Sequence, residues 1–234
     1  MKKQVCIIGV GRFGGEIARE LYQSGHDVLA IDNDEAKIQD LLGQVTYAIR
    51  ADASNESVLK ELDVADFDVA VVALGSENVQ SSILITVLLK SIGVPFVVSR
   101  AANELHGSTL ERVGADRVVY PEMESARRTA HIGFDPGVID YMPIVPNFGI
   151  SKMRPPEQMI GHTLEEVGLG GSPDKHGVSV LAIRRGRSSF LHPAKEEEIK
   201  PGDVLIVAGS NEHISHLNDV ARQLPPPVAA ETGD

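Results

Sequence analysis

Gly9, Gly11 and Gly14 stand at the spacing G-x-G-x-x-G directly after an apolar run, Val5 to Ile8, and Asp32 closes the next apolar run. Each glycine meets a physical demand: Gly9 makes the tight turn, Gly11 lets backbone approach a pyrophosphate, and Gly14 lets a helix pack closely on a strand. A helix opening at such a loop offers free N–H groups and the positive end of its dipole to a phosphate. Asp32, at the end of the second strand, is placed to accept hydrogen bonds from ribose hydroxyls. Its other reading is a strand-end turn residue that caps the next helix. Neither Asn33 nor Asp34 supplies a cation for a 2′-phosphate, so the pattern favours an adenine nucleotide that lacks one.

Other residues along the first half carry chemistry in the same region. Arg12, inside the loop and followed by Phe13, can clamp a phosphate with two parallel hydrogen bonds or simply sit in solvent on the first helical turn. Asp52 and Ala53 follow the third apolar run, and helix capping competes with ligand contact for Asp52 because Ser54 and Asn55 come next. Leu74, Gly75 and Arg100 close the fourth and fifth runs, at the strand ends where a parallel sheet collects its ligand. Glu122 lies on a first helical turn, where an acid favours the dipole with or without a ligand. His213 and His216 lack a third ligand nearby and read as a solvated face. Cys6 reads as a small buried hydrophobe.

The elements that must position these groups alternate. Strands are expected at Gln4 to Ile8, Asp27 to Ile31, Val45 to Ile49, Asp68 to Leu74, Phe96 to Ser99 and Arg117 to Tyr120. Helices fill the gaps, ending with one over Glu122 to Gly133. Six strands separated by helices define an α/β fold, a Rossmann-type doubly wound parallel sheet. Prolines 136, 143, 146, 155 and 156 then stop the alternation. A small α+β lobe is expected beyond them, with extended segments near Ile150 to Met153, Val178 to Arg184, Phe190 to His192 and Val204 to Ala208. Helices are expected in it at Thr163 to Val167 and Glu212 to Gln223. The division is 1–134 for the nucleotide-binding domain, 135–141 for a hinge, 142–223 for the second lobe and 224–234 for a disordered tail. The helix Val79 to Leu89 is apolar on too many sides for a surface helix, so it is deeply packed or lies in a subunit interface.

Composition narrows the partners. With 33 acidic against 22 basic residues the net charge is −11, which disfavours nucleic acid and anionic lipid. No Trp is present to make a stacking platform. A single cysteine excludes a disulfide within the chain and suits a cytosolic setting. The start, MKKQVCIIGVG, does not read as a signal peptide, and no apolar run approaches the roughly 20 residues of a spanning helix. No direct membrane insertion is expected; if the protein works at a membrane, another chain spans it.

The phrases IIGVGRFGGEIARELYQSGHDVLAID, Arg50-Ala-Asp52-Ala-Ser54, Val71 to Gly75, and Gly114-Ala-Asp116-Arg-Val followed by Pro121-Glu122 resemble the RCK (KTN) regulatory proteins of potassium channels and transporters. Among these the chain looks most like the cytosolic Ktr/Trk-type regulatory subunit, and its second half has the length of an RCK-C lobe. The resemblance implies a homo-octamer, a ring built from dimers, on the cytosolic face of a potassium-translocating membrane subunit. The chain would then be cytoplasmic and peripheral through that partner. It implies ATP or ADP, or else NAD(H), in the Rossmann domain: Gly9, Gly11 and Gly14 at the phosphates, Asp32 with Asn33 at the ribose, Asp52 with Ala53 near the adenine, Arg12 at a terminal phosphate. Glu122 matches an acid linked to a cation, Mg²⁺ or Ca²⁺, beside the phosphates. In some relatives the C-lobe binds cyclic di-AMP at its dimer interface. Met159 and Ile160 fall near the corresponding place, while Gly170-Gly-Ser-Pro-Asp-Lys departs from the basic pattern expected there.

Two other functions use the same glycines. An NAD-dependent oxidoreductase needs a second domain that presents an acid, base or metal to the nicotinamide, and no such constellation is visible after the hinge. A Rossmann-type repressor needs a helix-turn-helix signature, which is missing. The expectation is a regulator and not an enzyme.

Overall fold

The computed structural model describes residues 2–134, 137–170 and 176–221. Contacts divide the chain into two compact units, Met1–Met123 and Glu124–Asp234. The expected tail at 224–234, Asp135 and Pro136 of the expected hinge, and most of the Gly170 to Lys175 segment lie outside the described residues.

The first unit runs β1 (Gln4–Ile8), α1 (Arg12–Gln23), β2 (Asp27–Asp32), α2 (Glu35–Gln39), β3 (Tyr47–Arg50), α3 (Glu56–Glu61), β4 (Val69–Val72), α4 (Val79–Ser91), β5 (Phe96–Arg100), α5 (Glu104–Arg112), β6 (Arg117–Val119) and the start of α6 (Pro121–Phe134). All strands pair in parallel in the order β3-β2-β1-β4-β5-β6. This is the Rossmann order, and the reversal between β1 and β4 opens a crevice at the carboxyl ends of those strands.

Alternation along each strand feeds two cores. Cys6, Ile8, Leu29, Ile31 and Val72 pack with Leu59, Ile85 and Leu89 on one face. Val5, Ile7, Val28, Ala30 and Val71 pack with Ala18, Ile38 and Leu41 on the other. Burial on both faces is why these strands read as continuous apolar runs. It also pushes the Cys6 thiol up to about 12, so the cysteine is inert packing. Helix α4 buries Ser82, Ile85, Thr86 and Leu89 but leaves Leu84 and Val87 exposed, so its outward face remains apolar.

The second unit holds β7 (Val138–Val145), β8 (Phe148–Met153), β9 (Val178–Arg185), β10 (Ser188–Leu191), β11 (Val204–Ser210) and α7 (Asn211–Ala221). The five strands form an antiparallel sheet, β10-β9-β11-β8-β7, over a core that includes Met153, Met159, Leu164, Ile183, Ile199 and Leu217. Among the described residues no helix is long and apolar enough to cross a membrane.

The second unit departs from the sequence expectation in two places. Strand β7 begins inside the segment 135–141 and runs through Pro143. Proline is tolerated because β7 is an edge strand and its register with β8 shifts between Pro143 and Val145. Thr163 to Val167 is a turn and not a helix. Thr163 and Glu166 do make the reciprocal helix-start bonds, N to Oε2 at 2.8 Å and N to Oγ1 at 3.2 Å. The helix stops after one turn because Gly168 takes φ +77° and closes it, with Gly168 N donating to the Glu165 carbonyl and Leu169 N to the Leu164 carbonyl.

Candidate functional site

A cleft of about 960 Å³ lies at the crevice. Every residue of the first half singled out for nucleotide or cation contact lines it except Gly14. Gly9 has φ +88°, and a side chain there would meet Leu74 Cδ2 at 2.7 Å. Gly11 precedes α1 with no side-chain cap on the helix N-terminus, and a Cβ on it would find nothing within 4 Å. Open space over uncapped N–H groups is what an approaching phosphate requires. Gly14 lies beneath the loop instead: a Cβ there would stand 1.9 Å from the Gly9 carbonyl oxygen and 2.9 Å from Ala73 Cβ. It packs the helix on the loop and does not line the cleft.

At the end of β2 Asp32 is 8% exposed. Its Oδ2 accepts from Val10 N at 2.9 Å and its Oδ1 from Asp34 N at 2.9 Å. The carboxylate is thus locked to the glycine loop with acceptor capacity left over, since an ionised carboxylate offers about four lone-pair sites. It does not cap α2, because Asp34 does, accepting from Ala36 N at 3.0 Å. Asn33 lines the cleft, and its carbonyl accepts from Arg50 Nε at 3.1 Å. Lys37 Nζ stands 3.4 Å from Asp32 Oδ2 on the same wall. Asn33 and Asp34 do not announce this cation, which one helical turn carries back to the wall that holds Asp32.

Asp52 accepts at Oδ1 from Ser54 Oγ at 2.6 Å and Ser54 N at 2.9 Å. The Ser54 hydroxyl and amide hold its carboxyl below the usual range, so it is ionised at neutral pH. Asn55, not Asp52, caps α3. Ala53 is buried beside it.

At the other end Arg12 is exposed on the cleft wall. Arg100 leaves the end of β5, lies 5.7 Å over the Phe13 ring and pairs with Glu122. Leu74 and Gly75 follow β4, with the Glu77 carboxylate folded against Gly75. Glu16, Ser76, Glu77, Asn78 and Ser81 also face the cleft, and no motif announced them. Glu122 stays half-open to solvent beyond its ion pair, at 64% side-chain exposure. Among the described residues no group of three or more His, Cys, Asp or Glu is arranged for a metal, so a cation at Glu122 would need phosphate and water oxygens for its other ligands. His213 and His216 are part of no such group.

Residues 5–121 match the TrkA-N domain and residues 152–221 the TrkA-C domain. Ktr system potassium uptake protein C of Bacillus subtilis (strain 168) is 37% identical over 93% of this chain and 96% of its own length. Ktr system potassium uptake protein A of the same organism is 32% identical over the same shares. Among solved structures the GsuK RCK domain has the same fold at a TM-score of 0.64 and 18% identity, covering 96% of this chain and 49% of that one. The GsuK channel bound to NAD gives 0.63 and 17%, covering 96% of this chain and 40% of the channel. The chain thus spans half or less of these solved chains but nearly all of the Ktr proteins. Both domain matches fall in order along a chain that shares more than 30% identity with two full-length relatives, and the chain belongs to the TrkA-N/TrkA-C (RCK) family of potassium-uptake regulatory proteins.

Proposed function

We propose that the chain is a nucleotide-sensing regulatory subunit that gates a potassium uptake transporter or channel. The observation that carries this reading is the convergence, in one cleft, of the uncapped glycine loop, the buried Asp32 carboxylate and two arginines. ATP and ADP are the proposed ligands, with NAD or NADH as the other adenine nucleotides that fit the same groups; the GsuK channel, of the same fold, binds NAD. The chain works in the cytoplasm, as a homo-octamer built from dimers and docked on a potassium-translocating membrane subunit. The exposed apolar side chains of α4, Leu84 and Val87, support a subunit contact there. Light scattering should give an octamer, and the ring should co-purify with the membrane subunit; a stable monomer of 25.1 kDa at micromolar concentration would sink the reading.

Calorimetry with ATP, ADP, NAD, NADH and cyclic di-AMP tests the ligand. Met159 is fully buried, so cyclic di-AMP at the C-lobe would have to use Ile160 and its surroundings. Asp32→Ala should weaken adenine-nucleotide binding by about 1 to 3 kcal/mol, because the ribose loses a charged acceptor. Unchanged affinity would remove Asp32 from the site. No hydride transfer should accompany NADH binding, and turnover of any 2-hydroxy acid or aldehyde would favour an oxidoreductase instead.

Gating needs a ligand that distinguishes two states, not one that merely binds tightly. Arg12 offers a guanidinium to a terminal phosphate, and Glu122 a carboxylate to a cation that bridges phosphate oxygens. Arg12→Ala should therefore cost ATP more affinity than ADP, and Glu122→Gln should abolish the divalent-cation dependence of ATP binding. Equal losses for both nucleotides with the cation dependence intact would reject this discriminator while leaving the family assignment untouched.

A further inference from the structure

The loop that carries Arg100 into the cleft is tethered residue by residue. Ser99 Oγ meets Thr86 Oγ1 at 2.9 Å, Arg100 pairs with Glu122, and Ala101 N donates to Val119 O at 2.9 Å. Ala102 N donates to His106 Nδ1 at 3.1 Å, and Asn103 Oδ1 accepts from His106 N at 2.9 Å. Of these tethers only the imidazole changes charge near neutral pH.

The hydrogen bonds of His106 fix its proton. An amide N–H can only donate, so Nδ1 is the acceptor and the neutral ring carries its hydrogen on Nε2. Nε2 then donates to Ser82 Oγ, 2.8 Å away, and the Ser82 hydroxyl donates to the Val79 carbonyl at 3.0 Å. Val79 is the first residue of α4, and Asn78, Ser81 and Ile85 around it line the cleft. One ring, 5% exposed, thus joins two walls of the site.

We propose that His106 is a positioning residue for the nucleotide cleft: it holds the Arg100 loop to the start of α4 only while neutral, so ligand affinity falls when the ring takes up a proton. The proposal rests on the nucleotide reading above. A proton on Nδ1 turns the acceptor into a donor that faces the Ala102 N–H, and that tether is lost. The groups facing the ring are the Ser82 hydroxyl from α4 and the Ala102 amide from the β5–α5 loop. Nearby charges are engaged or solvent-facing: Arg100 of β5 is held by Glu122, Lys90 of α4 by Asp116, and Glu104 of α5 is exposed. Tyr120, after β6, packs over Gly107. Burial therefore holds the ring below its ordinary value of 6.5, and it is neutral at pH 7. The sign follows: the folded form is unpenalised above 6.5 and is progressively penalised as pH falls from there toward the lower folded value.

Imidazole ¹⁵N NMR of the ligand-free chain at about pH 7.5 should show the Nε2–H tautomer. Calorimetry with ADP should show wild-type affinity falling more, between about pH 7.5 and about pH 5.5, than that of His106→Asn, whose side-chain oxygen keeps an acceptor for Ala102 and does not titrate. Titration of the ADP phosphate is common to both proteins and cancels in the comparison. His106→Ala should bind about fivefold more weakly than wild type already at about pH 7.5. The Nδ1–H tautomer, or the same pH dependence in wild type and His106→Asn, overturns the proposal. If ADP binds at neither pH, the nucleotide reading has failed instead, and amide exchange at Ala102 decides the tether by itself. Protection at Ala102 must fall on acidification in wild type; protection that does not change overturns it without needing any variant to fold.

Discussion

Gly14→Ala should destabilise the nucleotide-binding unit by about 3 kcal/mol and abolish nucleotide binding, whereas Gly15→Ala, one residue along the same helix, should be neutral or stabilising by up to about 1 kcal/mol. The two glycines differ in what a methyl group would meet. At Gly14 the new carbon would lie 1.9 Å from the Gly9 carbonyl oxygen, 3.1 Å from the Gly9 carbonyl carbon and 2.9 Å from Ala73 Cβ. None of these is the end of a flexible side chain. Either α1 moves off the sheet or the Gly9 turn opens, and both displace the uncapped N–H groups at the start of α1. At Gly15 the nearest atoms are the Val10 carbonyl oxygen at 3.4 Å and Arg19 Nη1 at 3.5 Å, ordinary contact distances. There the helix gains from losing a glycine. Urea denaturation and ADP calorimetry on both variants would check the contrast. A Gly14→Ala protein that keeps wild-type stability and affinity would mean that helix and loop are not packed as described.

The same contrast explains what could be read in the sequence. The parallel sheet was legible because strands buried on both faces cannot hide their apolar runs, and the placing of Gly9, Gly11 and Asp32 was legible because a tight turn into a helix and an acid at the end of the next strand are local features of the sequence. Lys37 was missed because its relevance depends on a helix folding back over the end of β2, not on its neighbours in sequence. Glu16, Glu77 and Ser81 belong to no motif, and only the crevice brings them together. In the second unit the prolines suggested a break, yet an edge strand loses nothing by missing one ladder donor, and β7 runs through Pro143. The turn at Thr163 has a helix-start signature, but Gly168, at φ +77°, closes it after one turn. His106 is ordinary in sequence, and its role appears only when Ala102 and Ser82 are seen on either side of the ring.

In the second unit the largest expected effect belongs to Arg185 on β9. Its Nε and Nη2 donate to the two oxygens of Asp203, both at 2.8 Å, its Nη1 donates to Glu197 at 3.0 Å and its Nη2 to the Glu198 carbonyl at 2.9 Å. The Asp203 side chain is wholly buried and also accepts from Lys200 N at 2.9 Å. Burial pushes the Asp203 carboxyl up, but the Arg185 guanidinium and the Lys200 amide together bring it below the usual value. A depressed carboxylate contributes stability that is fully present above the unfolded value of about 3.9 and is lost as pH falls through the folded one. Arg185→Met keeps an apolar stem on β9 and leaves a buried charge without its partner, so it should cost about 3 kcal/mol at neutral pH. With burial now unopposed by the guanidinium, the Asp203 pKa should rise above the unfolded value, and the sign of the linkage reverses. The variant should then lose stability as pH rises from about 4 to about 7, where the wild type loses none. Adding Asp203→Asn removes the buried charge and should flatten that dependence, since the amide oxygen can still accept from Lys200 N. Urea denaturation of the three proteins at both pH values separates the outcomes: a loss for Arg185→Met that is equal at the two pH values would assign its effect to packing against Phe190, 5.5 Å from the guanidinium, and not to the ion pair.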